Sequence, residues 1–143
     1  MGTDNKDYVL ASDTDSVYIT FDELVNKSFK TEGVASESES GLQRERVVGF
    51  LDRLAREKIE PFIDKSYQNL AEYVSAYDQK MSMKREVIAD KGIWTAKKRY
   101  ILNAWDIEGV KYKEPQLKIM GLEAVKSSTP APCRQKIKDA LKI

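Results

Sequence analysis

Histidine is absent from this 143-residue sequence, and that absence removes a large part of ordinary enzyme chemistry. Without imidazole there is no Ser-His-Asp or Cys-His nucleophile system and no His-ligated zinc. The single cysteine, Cys133, excludes an internal disulfide and any CxxC metal site. Metal chemistry would have to rest on carboxylates, whose hard oxygens suit magnesium or manganese. No apolar run approaches the roughly 20 residues of a membrane span. Met1 to Asp7 are polar and acidic rather than signal-like, so a cytoplasmic setting without membrane contact is the expectation. Net charge is only +1, so any nucleic-acid surface must come from local clustering of basic residues.

What is present suffices for one domain with a core. Tyr8 to Ser12 is a short apolar run ending in Asp13-Thr14-Asp15, and Ser16 to Phe21 is rich in β-branched and aromatic residues. Together they predict a β-hairpin. Asp22 to Lys27 suits a short helix, and Thr31 to Gly41, poor in bulky apolar residues, reads as a loop. From Leu42 to Ser75, Val47, Leu51, Leu54, Ile59, Phe62, Ile63, Tyr67, Leu70 and Val74 form one helical stripe. Pro61 should kink or divide that helix.

Beyond it the period becomes two. Met81 to Ala89 is one expected strand, Asp90-Lys91-Gly92 a turn, and Ile93 to Trp105 a longer strand. Asp106 to Gly109 is a further turn leading into Val110-Lys111-Tyr112, with Leu117 to Met120 as another strand. A final helix opens at Pro130 or Pro132 and runs from about Ala131 to Leu141. The expected class is α+β, a small antiparallel sheet with a β-hairpin, packed against helices.

Aspartates one residue apart on a tight hairpin can present oxygens to one point, as a magnesium ion with one or two protein carboxylates requires. On spacing alone, Asp-Thr-Asp-Ser serves equally well as turn-forming polar residues. Likewise Lys97-Lys98-Arg99-Tyr100 could be a solvated basic strand. On a strand, Lys98 and Tyr100 would share one side, joining charge for phosphates to hydrogen bonding for sugar or base edges.

Ser12-Asp13-Thr14-Asp15-Ser16-Val17-Tyr18 closely resembles the D-T-D-S hairpin of family B DNA polymerases, and Tyr8 to Ala11 is similar to the T-even-type phage branch. Lys97 to Tyr100 resembles the family's K-K-R-Y element, and Lys118 to Pro130 a further segment of it. Matching tracts in the family's order, the first two about eighty residues apart, are far more specific than either one.

The resemblance implies part of a polymerase palm over residues 1–143, with fingers, exonuclease and thumb absent. It implies two ions of Mg2+ or Mn2+ in the complete site, with Asp15 shared by both metals, Asp13 nearby, and Glu86 a further carboxylate from a neighbouring strand. It also implies that Lys98 and Tyr100, assisted by Lys97, contact the primer, and that Lys126 contacts its phosphate backbone. Primer-template DNA, dNTP substrates and the remainder of the polymerase, in cis or in trans, are the implied partners.

Ser12 stands where the family usually has Gly, and a Gly-rich loop before Trp94-Thr95 is shortened to Asp90 to Ile93. No D-x-x-S-L-Y-P-S tract supplies the second metal-bridging aspartate, so the isolated chain is expected to be inactive, an excerpt or one part of a split enzyme. A non-catalytic nucleic-acid-binding or assembly module is the alternative. A nucleotidyl cyclase palm also places aspartates on a hairpin, but leaves the Lys97 and Lys126 tracts unexplained.

Overall fold

The computed structural model describes residues 7–29 and 37–141. The architecture is α+β, and the chain divides into two compact units with the boundary between Ile88 and Ala89.

The first unit opens with the expected hairpin. Strand β1 (Val9–Asp13) pairs antiparallel with β2 (Ser16–Ile19), with Asp13 opposite Ser16 and an irregularity between Val9 and Ala11. Thr14 takes a left-handed φ of 40° at the turn, a sign that tight hairpins need but that a β-branched residue adopts only with strain. Helix α1 (Asp22–Ser28) carries Asp22 and Glu23 in its first turn and Lys27 in its last, complementing its dipole. The Tyr8 hydroxyl donates to Glu23, 3.2 Å away, tying the hairpin entry to this helix.

Helix α2 (Glu37–Leu54) begins before Leu42, so the expected loop is partly helical; its remainder lies outside the described residues. Glu and Ser carry no helix penalty like that of Gly or Pro, so a polar sequence does not by itself prevent a helix. At the C-terminal side of α1 the Phe29 ring meets Phe50 of α2 edge to face at 5.5 Å.

The expected division at Pro61 is present and takes a definite form. A π turn (Ala55–Ile59) separates α2 from α3 (Glu60–Tyr73), with the Glu60 N–H donating to the Ala55 carbonyl. Pro61 has no N–H to donate, and its ring would crowd the carbonyl of Glu57. The wider turn relieves that clash. After α3, Ser75 (φ 52°) closes the helix, with Ala76 N–H on the Ala71 carbonyl at 2.8 Å and Ser75 N–H on the Glu72 carbonyl at 3.1 Å. This is a Schellman closure with serine in the position glycine usually takes.

The sheet corrects three sequence expectations. Residues Met81 to Glu86 are not strand: β3 runs from Val87 to Ala96. Asp90-Lys91-Gly92 is not a turn but part of that strand. A Cβ on Gly92 would lie 2.6 Å from the Trp94 ring and 2.8 Å from Leu102 Cδ2, so glycine makes room for the indole rather than for a bend. The expected strand from Ile93 to Trp105 is broken at Lys97-Lys98, where Lys98 has φ 60°, and β4 runs from Arg99 to Ile107.

The strand order is β3-β4-β5, with β5 (Val110–Met120) antiparallel to β4. Glu108 and Gly109 link them with φ of 52° and 87°, the two positive values a type I′ turn requires. Leu102, Ala104 and Asp106 alternate along β4 as its buried face. Pro115 sits on edge strand β5 where the register slips between Ala104 and Asp106, a setting in which a strand tolerates a missing donor. Helix α4 (Ala131–Ala140) starts after Pro130, as its prolines predict.

Candidate functional site

On the β1–β2 hairpin the two aspartates differ. Asp13 is half-buried at the end of β1, where its Oδ1 accepts the Thr14 hydroxyl at 3.1 Å and its carbonyl accepts the Ser16 hydroxyl at 3.2 Å. Asp15 is exposed in the turn itself. Their hard oxygens suit a magnesium ion that takes only one or two protein carboxylates. Among the described residues, no group of three or more His, Cys, Asp or Glu side chains converges on a common point. Among the described residues the hairpin therefore offers two carboxylates that no third such ligand joins.

Glu86 is exposed on the segment that precedes β3. Its neighbour Arg85 anchors that segment. The Arg85 guanidinium donates to Asp52 Oδ1 at 2.5 Å, and the Arg85 backbone N–H donates to Glu60 Oε1 at 3.1 Å. Arg56 forms an ion pair with the other Asp52 oxygen. Burial opposes ionisation of Asp52, but hydrogen bonds and charge from Arg56 and Arg85 outweigh it and hold the carboxyl below its ordinary value. A side chain thus replaces the ladder partner that a strand would have given Arg85. Sequence reasoning missed this clamp, because an Asp-Arg pair 33 residues apart leaves no periodic trace.

In the second unit the basic tract is a turn and a strand start. Lys97 and Lys98 are exposed in the β3–β4 turn, while Arg99 and Tyr100 begin β4 and are half-buried. Lys98 therefore does not share a strand face with Tyr100 as expected, since alternation holds only within a strand. Tyr100 lies opposite Met120 in the ladder, and Gly121 follows with φ 69°. A Cβ on Gly121 would collide with the Lys98 carbonyl oxygen, so the chain leaving β5 packs backbone-to-backbone on the lysine turn.

That close approach brings in the Lys118 to Pro130 segment. Glu123 receives Arg99 Nη2 on both carboxylate oxygens, at 2.8 and 2.9 Å, and Lys126 Nζ at 3.1 Å. Its carboxyl is held below the ordinary value, first by a hydrogen bond with its own backbone and then by Lys126, with the Arg99 and Lys126 charges adding to this against desolvation. Two tracts that lie apart in sequence thus form one surface. It carries Lys97, Lys98, Arg99 and Lys126, with Glu123 between the last two.

The family model described as divergent family B DNA polymerase matches residues 1–143. The chain belongs to that family. Over 149 residues this family B chain is 42% identical to the DNA-directed DNA polymerase of Escherichia phage RB69, covering 99% of its own length and 16% of that protein. Over 153 residues it is 35% identical to the DNA-directed DNA polymerase of Enterobacteria phage T4, again 99% of its own length and 16% of that protein. The chain thus spans about a sixth of the length of these relatives. The family resemblance carried by the Asp13 and Lys97 tracts is confirmed. Among the described residues of this family B chain, no helix is long and apolar enough to cross a membrane.

Arg99, Gly121 and Glu123 fall within the tracts that carried the resemblance, but the sequence reading gave none of them a role in the site. Gly121 left one usable mark, a glycine directly after a strand that signals a turn needing positive φ.

Proposed function

We propose that this chain is part of the palm of a DNA-directed DNA polymerase, contributing to template-directed nucleotidyl transfer. The observation that carries this reading is the joining of the Lys97–Tyr100 tract to the Glu123–Lys126 segment in a chain matched from end to end by the family model.

In this reading Lys97, Lys98 and Lys126 supply positive charge to the primer strand, and Tyr100 offers a hydroxyl to the minor-groove side of its terminus. Holding the primer end in attack geometry removes rotational freedom before the reaction, which is where positioning groups lower a barrier. Asp15, exposed in its turn, and Asp13, whose carboxylate accepts the Thr14 hydroxyl, offer the carboxylates for Mg2+ or Mn2+, with Glu86 as a further acid. Two such ions, when bound, supply Lewis-acid activation of the primer 3′ hydroxyl and charge neutralisation on the dNTP. The remainder of the polymerase, in cis or in trans, supplies the second bridging aspartate and the triphosphate-binding groups. The place of action is the cytoplasm of a host cell.

Primer extension with Mg2+ and dNTPs tests this, using the chain alone and then with a polypeptide supplying the rest of the enzyme. The chain alone should be silent and the mixture active, and Asp15→Asn should cost the mixture about 100-fold or more, roughly 3 kcal/mol of transition-state stabilisation. Extension by the chain alone would refute the need for a partner. A mixture indifferent to Asp15→Asn would reduce the chain to a non-catalytic binding module.

A further inference from the structure

We infer that Glu123 is a displaceable counter-anion, standing between Arg99 and Lys126 in the place a DNA phosphate takes when duplex binds. The inference rests on the DNA-binding reading above and adds Arg99 to the phosphate contacts.

The geometry is that of anion recognition. One Arg99 nitrogen bridges both Glu123 oxygens at 2.8 and 2.9 Å, and Lys126 closes on one of them at 3.1 Å. Guanidinium and ammonium groups that hold a carboxylate in this manner hold a phosphate oxygen equally well. The three side chains remain open to solvent, with relative exposures of 40% for Arg99, 49% for Glu123 and 44% for Lys126. Ion pairs this exposed contribute little and are screened by salt, so the carboxylate is held loosely enough to exchange. Lys97 and Lys98 sit in the adjoining turn, whose backbone meets Gly121 directly. A phosphate arriving between Arg99 and Lys126 therefore meets two cations and one carboxylate, which repels it and already occupies both of them. Displacing Glu123 frees Arg99 and Lys126 together.

An opposite role is physically distinct: a Glu123 that holds Lys126 in the binding position would weaken DNA binding when lost. Glu123→Gln separates the two. The amide oxygen still accepts from Arg99 and Lys126, and only the charge is lost.

The test is fluorescence anisotropy of the full chain on a labelled primer-template duplex, from about 50 to about 200 mM salt. Wild type, Glu123→Gln, Glu123→Ala, Lys126→Ala and Lys98→Ala are compared, each checked for folding by thermal denaturation. Both Glu123 variants should bind about 3- to 10-fold tighter at the low-salt end, with a log–log salt slope steeper by about one ion. Weaker binding by Glu123→Gln, or an unchanged slope, overturns the inference. If Lys126→Ala weakens binding while the Glu123 variants match wild type, the inference fails and the DNA-binding reading stands. Binding that neither Lys126→Ala nor Lys98→Ala weakens would sink both.

Discussion

The Arg85 guanidinium meets the Asp52 carboxylate at 2.5 Å across 33 residues of sequence, with only 13% and 11% of the two side chains exposed. The π turn between α2 and α3 explains how one arginine reaches two acids. Asp52 and Glu60 lie eight residues apart, which on a continuous α-helix would leave them about 80° apart around the axis. One extra residue in the turn shifts the phase by about 100° and returns them to nearly one face. Pro61, by demanding that turn, indirectly sets the clamp that delivers Glu86 and the start of β3.

Removing one partner of this pair leaves a charge in the interior. Asp52→Leu is therefore expected to lower unfolding free energy by about 3–5 kcal/mol. Asp52→Leu combined with Arg85→Met should cost less than the single change, because no unpaired ion remains. Urea denaturation of the single variants and the pair measures this, and strictly additive losses would rule out the coupling.

Acid should weaken the fold through the same group. The Asp52 pKa is lowered in the folded chain from an ordinary value of 3.8. Its contribution is thus complete above the unfolded value and is lost as pH falls below 3.8 through the folded one. Denaturant midpoints between about pH 6 and pH 2 should fall for wild type, and the fall should be shallower for Asp52→Asn.

Gly109 and Gly121 separate strain from collision. Both have positive φ, 87° and 69°, but a Cβ at Gly109 meets nothing within 4 Å, whereas at Gly121 it meets the Lys98 carbonyl. Gly109→Ala should cost about 1 kcal/mol, mostly backbone strain. Gly121→Ala should cost more, and by displacing the lysine turn it should also weaken primer-template binding. Thermal denaturation and anisotropy on both variants check this; equal losses would show that Lys98 yields freely.

Asp106 is fully buried, and its Oδ1 accepts the Gly109 N–H at 2.9 Å, bracing the β4–β5 turn. Asp106→Ala removes that brace and is expected to cost about 1 kcal/mol. Asp106→Asn, which keeps an acceptor for Gly109, should lose less in the same denaturation experiment.

Several features were determined by the sequence itself, because they depend on a few adjacent residues. Alternation and polar turn residues around Thr14 specify the hairpin that holds Asp13 and Asp15. The apolar stripe and Pro61 specify a divided helix, and Pro130 specifies the start of α4. The acidic and basic tracts also carried the family resemblance. Local composition misled where a residue served a distant neighbour. Gly92 makes space for Trp94 and Leu102 instead of turning the chain. Lys97 and Lys98, lodged in a strand-like tract, turn where Gly121 of another segment packs against them.

Only the tertiary structure decided that Asp52 and Glu60 hold Arg85, and that Glu123 joins Arg99 to Lys126. The reason is physical. Backbone propensity acts over a turn or two, whereas ion pairs and close backbone contacts form between whichever groups the fold brings within about 3 Å, irrespective of their separation along the chain.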